Sequence, residues 1–340
     1  MVSDSRPFRL TEDSGVHFHP VSTTDYPLFK YPPQSLSLAN KLAEVAVEHD
    51  LDLIHAHYAV PHAITAILAS QVVQPHPVRV VTTLHGTDIT LVGSHRDFYR
   101  VCRYAMLEAH GLTAVSNWLA DQTVKAFDLP TPPQVIPNFV DCDRFSAAGR
   151  APYPGADGPF ELMHASNFRP VKRVFDVVRV FGELLKRIPA RLTMVGDGPE
   201  RGMAAELASE LGIAEHVRFV EPIQKIEDLY RKSHLFLLLS DYESFGLSAL
   251  EALACGTPVI ASRSGGLTEV IDERTTGRLC AVGDVGAIAD AAYELLTDEA
   301  TWRSMSAAAS LRAKSRFCRE MIVAEYENFY QHTLSGAADR

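Results

Sequence analysis

Short runs of consecutive apolar residues alternate along this chain with longer stretches in which apolar positions recur every three or four residues. The first pattern suits strands buried on both faces of a parallel sheet, and the second suits the amphipathic helices that cover it. Their alternation predicts repeated βαβ units and so an α/β fold. In the first part VHFHPV (16–21), DLIHAH (52–57), VRVVTTL (78–84), LTAVS (112–116) and QVIPN (134–138) read as strands, with helices near 34–49, 61–71, 96–109 and 117–126. A Pro/Gly/Ala-rich link, SAAGRAPYPGADGP (146–159), interrupts the pattern, which restarts with strands at 160–165, 191–195, 217–220, 235–239, 258–262 and 278–281. The expected organisation is a domain over 1–145, a second over 146–316, and a terminal segment, 317–340, whose helix packs back on the first. Two Rossmann-like domains of this kind bind ligands at the C-terminal ends of their strands, which predicts a cleft between two sheet edges.

Composition narrows the partners. Lys plus Arg number 32 against 42 Asp plus Glu, a net charge of −10, which disfavours a nucleic-acid backbone or a stable association with an anionic membrane. Small-molecule substrates fit better, and a homodimer is left open. The segment MVSDSRPFRLTEDSG lacks the apolar core of an export signal, and the longest apolar runs, such as LFLLL (235–239), are strand-sized. Cys102, Cys142, Cys255, Cys280 and Cys318 are scattered without a C-x-x-C pair, which reads as reduced, mostly buried thiols in a cytoplasmic protein. The turn GDGPE (196–200) follows a strand but has Arg201 where a dinucleotide-binding fingerprint needs its third glycine, which speaks against a dehydrogenase.

The chemistry concentrates in SDYESFGLSALEALACGTPVIASRSGG (240–266). A buried strand leads into a loop, and a helix starts near Gly246. The backbone amides of Phe245, Gly246 and Leu247 at that helix start form an anion site suited to a diphosphate. Glu243 and Glu251 on either side would not hold phosphate, but each can accept hydroxyl hydrogen bonds from a sugar or a ribose; the bland alternative is a pair of ordinary surface carboxylates. In SNFRPVKR (166–173) basic side chains follow a strand, where they could neutralise a diphosphate leaving group. TTLHGTDIT (82–90) places His85 at a strand mouth, and HAHYAVPHA (55–63) adds His55, His57 and His62. A zinc site from those three lacks an evident fourth ligand, so lining of a ligand cleft, with Tyr58 toward an acceptor, is preferred.

The glutamate stretch resembles the signature of the retaining, nucleotide-sugar-dependent glycosyltransferases of family four, and the resemblance runs through nearly the whole chain. It implies a GT-B-type fold, a metal-independent reaction with no cofactor, and a sugar transferred with retention. Carried over residue by residue, it implies His85, Lys172 and Glu243 as catalytic, with Glu243 on the donor sugar and Glu251 on the ribose. The donor set is Asn167, Arg169, Lys172, Glu243, Ser244, Phe245, Gly246, Leu247 and Glu251. Asn167 stands where the family usually has arginine, with Arg169 two residues on as a substitute. LHGTDIT, HAHYAVPHA, KYPP, NFRPVKR and ESFGL together resemble the branch that joins N-acetylglucosamine, from UDP-N-acetylglucosamine, to L-malate in the first step of bacillithiol biosynthesis. Two malate carboxylates call for cations from the first domain, and Arg103, Arg100, Lys30 and Arg9 are the candidates, beside Tyr58, Gly86 and Thr87. PFRL comes at 7–10, where the family has it after a strand–turn–helix unit, so the expectation is an N-terminal domain lacking about forty residues. Another acceptor, an inositol phosphate or a lipid-linked sugar, and a non-catalytic nucleotide-sugar binder are the alternatives.

Overall fold

A computed structural model describes residues 1–7, 10–11, 14–23, 30–90, 95–155 and 158–336. The chain forms two compact units, Met1–Ile136 with Ala324–Arg340, and Pro137–Val323. Strands are numbered along the chain: β1 is Val2–Ser3 and β2 is His19–Pro20.

In the first unit β3 (Leu53–His57), β4 (Arg79–Leu84), β5 (Gly111–Ala114) and β6 (Gln134–Val135) form a parallel sheet in the order β3-β4-β5-β6. Ile54, Ala56 and Val80 pack with Ala43 and Ala46 of the helix Gln34–Glu48 and with Ala66, Ile67 and Ala69 of the helix Ile64–Val72. The helix Asn117–Phe127 begins where the sequence supplies a cap, with the Leu119 N–H donating to Ser116 Oγ at 3.1 Å. Two expectations shrink. The strand read at 16–21 keeps only His19–Pro20, paired with Val2–Ser3 in a separate ribbon. Pro20 offers no N–H to a ladder. The helix read from 61 starts at Ile64, after a wide turn over Ala59–Ala63 that contains Pro61.

The second unit is a six-stranded parallel sheet in the order β12-β11-β10-β7-β8-β9. Its strands are β7 (Phe160–Ala165), β8 (Ala190–Val195), β9 (Val217–Val220), β10 (Leu235–Leu238), β11 (Val259–Ser262) and β12 (Gly277–Cys280). Leu162, Leu192, Met194, Leu235 and Leu237 meet Val177, Val178, Phe181 and Leu184 of the helix Val174–Leu185 in one core. The winding runs outward in one direction from β7 and in the other from β10. The loops after those two strands therefore start side by side at the switch point, where open α/β sheets bind ligands.

One reading from sequence is corrected. Cys142 and Cys318 form a disulfide, with Cα atoms 5.7 Å apart, whereas Cys102, Cys255 and Cys280 lie outside disulfides. The cause is a pairing that a separation of 176 residues conceals. Val140 N–H donates to Phe317 O at 2.9 Å, Arg319 N–H donates to Val140 O at 3.1 Å, and Arg319 meets Asp141 at 3.0 Å. Among the described residues no helix is long and apolar enough to cross a membrane.

Candidate active site

In the second unit, the loops after β7 and β10 are stitched together before any ligand is considered. Asp241 N–H donates to Val171 O at 2.8 Å, and the Arg173 guanidinium donates to Asp241 Oδ1 at 2.9 Å. This brings Lys172, on the short turn Pro170–Lys172, to Glu243: Lys172 Nζ donates to Glu243 Oε1 at 2.6 Å. Ser240 Oγ donates to the same oxygen at 2.8 Å. The side chains of Lys172 and Glu243 are 19% and 14% exposed, so cation and carboxylate are presented at a mouth rather than in open solvent. Asn167 and Arg169 are exposed on the same loop.

The other end of the Glu243 loop is held from β11. Gly266 N–H donates to Glu243 O at 2.8 Å, and Gly265, at φ +58°, has room for no side chain: a Cβ there would lie 2.1 Å from Glu243 O. Gly265→Ala is therefore expected to cost at least about 1–2 kcal/mol through the left-handed backbone alone and to displace Glu243. A lower urea midpoint together with reduced turnover would be observed, and an unchanged midpoint would show that the loop is not so constrained. Downstream, the helix Leu247–Ala254 starts after Gly246 with no side-chain cap hydrogen bond. Phe245 is buried, its ring 5.8 Å from that of Phe317, Ser244 is half-buried, and Leu247 is exposed. Glu251, a turn into the helix, receives the fully buried Tyr230 hydroxyl on Oε2 at 3.1 Å. Burial first, and then the Glu251 charge, push the Tyr230 phenol up, which keeps it a neutral donor.

The glycines of GDGPE have a structural task that the motif search does not reveal. A Cβ on Gly198 would sit 2.2 Å from Asn167 O, and one on Gly196 would sit 1.9 Å from Ser166 O. The turn after β8 lies directly against the loop that carries Lys172. Beneath it, His164 is fully buried on β7, with Nδ1 donating to Leu237 O at 2.9 Å and Nε2 accepting from Ser166 Oγ at 2.8 Å. Burial lowers its pKa to about 4, so it braces the loop as a neutral imidazole.

In the first unit, His85 directly follows the last residue of β4, with Gly86 and Thr87 next. His85 Nε2 lies 2.9 Å from His57 Nδ1, and the Tyr58 and His85 ring centroids are 4.9 Å apart. His55 has Nδ1 2.6 Å from Tyr330 Oη and Nε2 2.7 Å from Thr83 Oγ1, so neither nitrogen is offered to a metal. Among the described residues no three His, Cys, Asp or Glu side chains are arranged to hold a metal ion. The cations expected for an acceptor have different surroundings. Arg103 donates from Nε to Phe127 O at 2.8 Å and caps the C-terminal end of the helix Asn117–Phe127. Arg100 is exposed on the helix Tyr99–Glu108, Lys30 lies 5.5 Å from the Tyr31 ring centroid, and Arg9 is outside the described residues. Ser240, Tyr230, Gly265 and the His57 contact are site features that the sequence reading missed. Only the Gly-Gly pair at 265–266, just after a strand, carried a signal for one of them.

Residues 149–312 match the family described as glycosyl transferases group 1, and residues 1–144 match glycosyltransferase family 4. The chain is 40% identical over 338 residues to N-acetyl-alpha-D-glucosaminyl L-malate synthase of Bacillus anthracis, covering 98% of this chain and 88% of that protein. It is 31% identical to D-inositol 3-phosphate glycosyltransferase of Saccharomonospora viridis, over 71% of this chain and 61% of the other. Among solved structures, Anabaena Alr3699/HepE in complex with UDP and glucose superimposes with a TM-score of 0.76 at 21% identity, over 93% of this chain and 85% of that one.

Proposed function

Because the chain belongs to the family-four, group 1 glycosyltransferases of GT-B fold, we propose that it moves N-acetylglucosamine from UDP-N-acetylglucosamine to the hydroxyl of L-malate with retention. The observation that carries the sugar-nucleotide chemistry is the contact of Lys172 with Glu243 at the switch point of the second sheet. A cation there can stabilise a departing diphosphate, and a carboxylate beside it can accept sugar hydroxyls. In this proposal Lys172, the helix-start amides after Gly246, and Arg169 meet the diphosphate, with Asn167 beside them. Glu243 and Ser244 meet the sugar, Glu251 takes the ribose, and neutral His85 takes a donor hydroxyl. Donor and acceptor identity come from the 40% relative. Tyr58, Gly86, Thr87, Arg100, Arg103, Lys30 and Arg9 are the acceptor candidates of the same proposal, and a metal-free reaction in the cytoplasm is part of it. The 31% relative favours a second reading, the same chemistry on an inositol phosphate.

The test is release of UDP from UDP-N-acetylglucosamine with and without L-malate, with the product identified by mass. Malate-dependent release and a glucosaminyl-malate mass are expected. Release that depends on inositol phosphate instead would shift the acceptor, and UDP-sugar binding without release under either condition would leave a nucleotide-sugar binder. An inverted, β-configured product would overturn the retaining mechanism.

A further inference from the structure

His57 ends β3 and is exposed, yet one nitrogen is committed: Nδ1 lies 2.9 Å from His85 Nε2. Both rings are neutral at ordinary pH. Burial, and then the neighbouring His57, lower the His85 pKa to about 4, while burial and then His62 lower that of His57. Two neutral imidazoles facing each other through one nitrogen apiece share one N–H along that line. Either ring can carry it, and in both cases the bond ties the plane of His85 to that of His57.

We propose that His57 is a positioning residue for His85, its hydrogen bond fixing the ring plane in which His85 meets a substrate hydroxyl. The hydroxyl's identity rests on the glycosyl-transfer reading above; the hydrogen bond itself does not.

Three observations support the assignment. First, His85 is confined on a second side by Tyr58, whose ring lies at 43° to it. Tyr58 holds φ +74°, a region that costs a non-glycine residue energy and that persists where the surroundings impose it. Its N–H donates to Thr83 O at 2.9 Å, so the strained turn immediately after His57 is anchored on β4. Second, His57 is backed by the His55 ring at a centroid distance of 4.5 Å, and both nitrogens of His55 are engaged by Tyr330 and Thr83. Third, Thr83 Oγ1 lies 2.7 Å from Thr113 Oγ1 and 3.2 Å from Tyr326 Oη. The His57–His85 pair therefore stands on a polar network that reaches the helix Arg319–Leu334, and a supported donor–acceptor pair of this kind sets orientation more tightly than a ring held by packing alone.

The test uses the full chain in three forms: wild type, His57→Ala and His57→Asn. Asparagine can place an amide group near the position of Nδ1. His57→Ala is expected to lower kcat about tenfold, the effect of losing one hydrogen bond, with donor KM little changed, and His57→Asn is expected to recover most of that loss. Side-chain 15N spectra of histidine-labelled protein, with His85 assigned among the 14 histidines through His85→Gln, give a readout independent of turnover. The His85 Nε2 resonance should shift in His57→Ala, which removes its partner, and return toward the wild-type position in His57→Asn. Unchanged His85 ring-nitrogen resonances in His57→Ala, or equal kinetic losses in the alanine and asparagine forms, would overturn the assignment. If no form turns over substrate, the function fails while the spectra still decide the role of His57.

Discussion

Lys172→Ala is expected to lower turnover by roughly a factor of 100 to 1,000, the effect of removing one preorganised group from a site of developing negative charge. Lys172 already contacts Glu243 at 2.6 Å with both side chains largely screened from water, so its ammonium needs no large rearrangement to reach a diphosphate at the same mouth. The substitution does a second thing. It leaves the Glu243 carboxylate with Ser240 as its remaining described hydrogen-bond donor, and a carboxylate so deprived costs about 1–3 kcal/mol of stability. The two effects separate in Lys172→Arg, which keeps the charge and the contact with Glu243 but alters the reach. Because the two residues touch, the double variant Lys172→Ala/Glu243→Gln should fall well short of the sum of the single losses. Steady-state kinetics against donor concentration checks this. A fall in kcat assigns Lys172 to the leaving group, a rise in KM alone assigns it to ground-state binding, and unchanged kinetics removes it from the site.

What could be read from the chain and what could not follow from the range of the interactions involved. VRVVTTL and LFLLLS announce buried strands because a strand covered on both faces has no polar side to disguise it. Asn117–Phe127 announces its start because Ser116, its cap, is adjacent in sequence. VHFHPV misleads for an equally local reason: alternating histidines imitate a half-buried strand, but its proline cannot serve a ladder. The glutamates and lysine of the site stand in contiguous motifs, and the resemblance of those motifs extended their reading to roles. Their contacts are another matter. Lys172 and Glu243 are 71 residues apart, and His55 and Tyr330 are 275 apart. Only strand order brings such pairs together, and nothing in composition or period encodes which carbonyl Arg103 will find. The glycines at 196 and 198 look like a failed nucleotide fingerprint because their reason is the backbone of Ser166 and Asn167, in a different loop.

Mild acid should destabilise the protein well before its carboxylates titrate. Burial is the first cause in each of three histidines: His55 falls to about 3, helped by His57 and His85; His85 to about 4, helped by His57; and His164 to about 4, helped by Lys172 against the opposing Leu237 carbonyl. In the unfolded chain these rings take up protons near pH 6.5. Between that value and the folded values the unfolded state binds more protons than the native one, so stability rises with pH across the window and falls as pH drops through it. Above about pH 7.5 the three contribute little to the pH dependence; below about pH 2 their loss is complete. From pH 7 to pH 5.5 the combined loss is about 4 kcal/mol, a large part of the stability of an ordinary domain. Urea midpoints at the two pH values measure it. His164→Gln should flatten the dependence by about a third if the three act alike, because a glutamine gains no proton in either state. A midpoint that does not move between pH 7 and pH 5.5 would mean that these rings are not held neutral. Turnover between pH 6 and 8 would then be expected to show an acid limb from His85, which a ring neutral throughout that range cannot give.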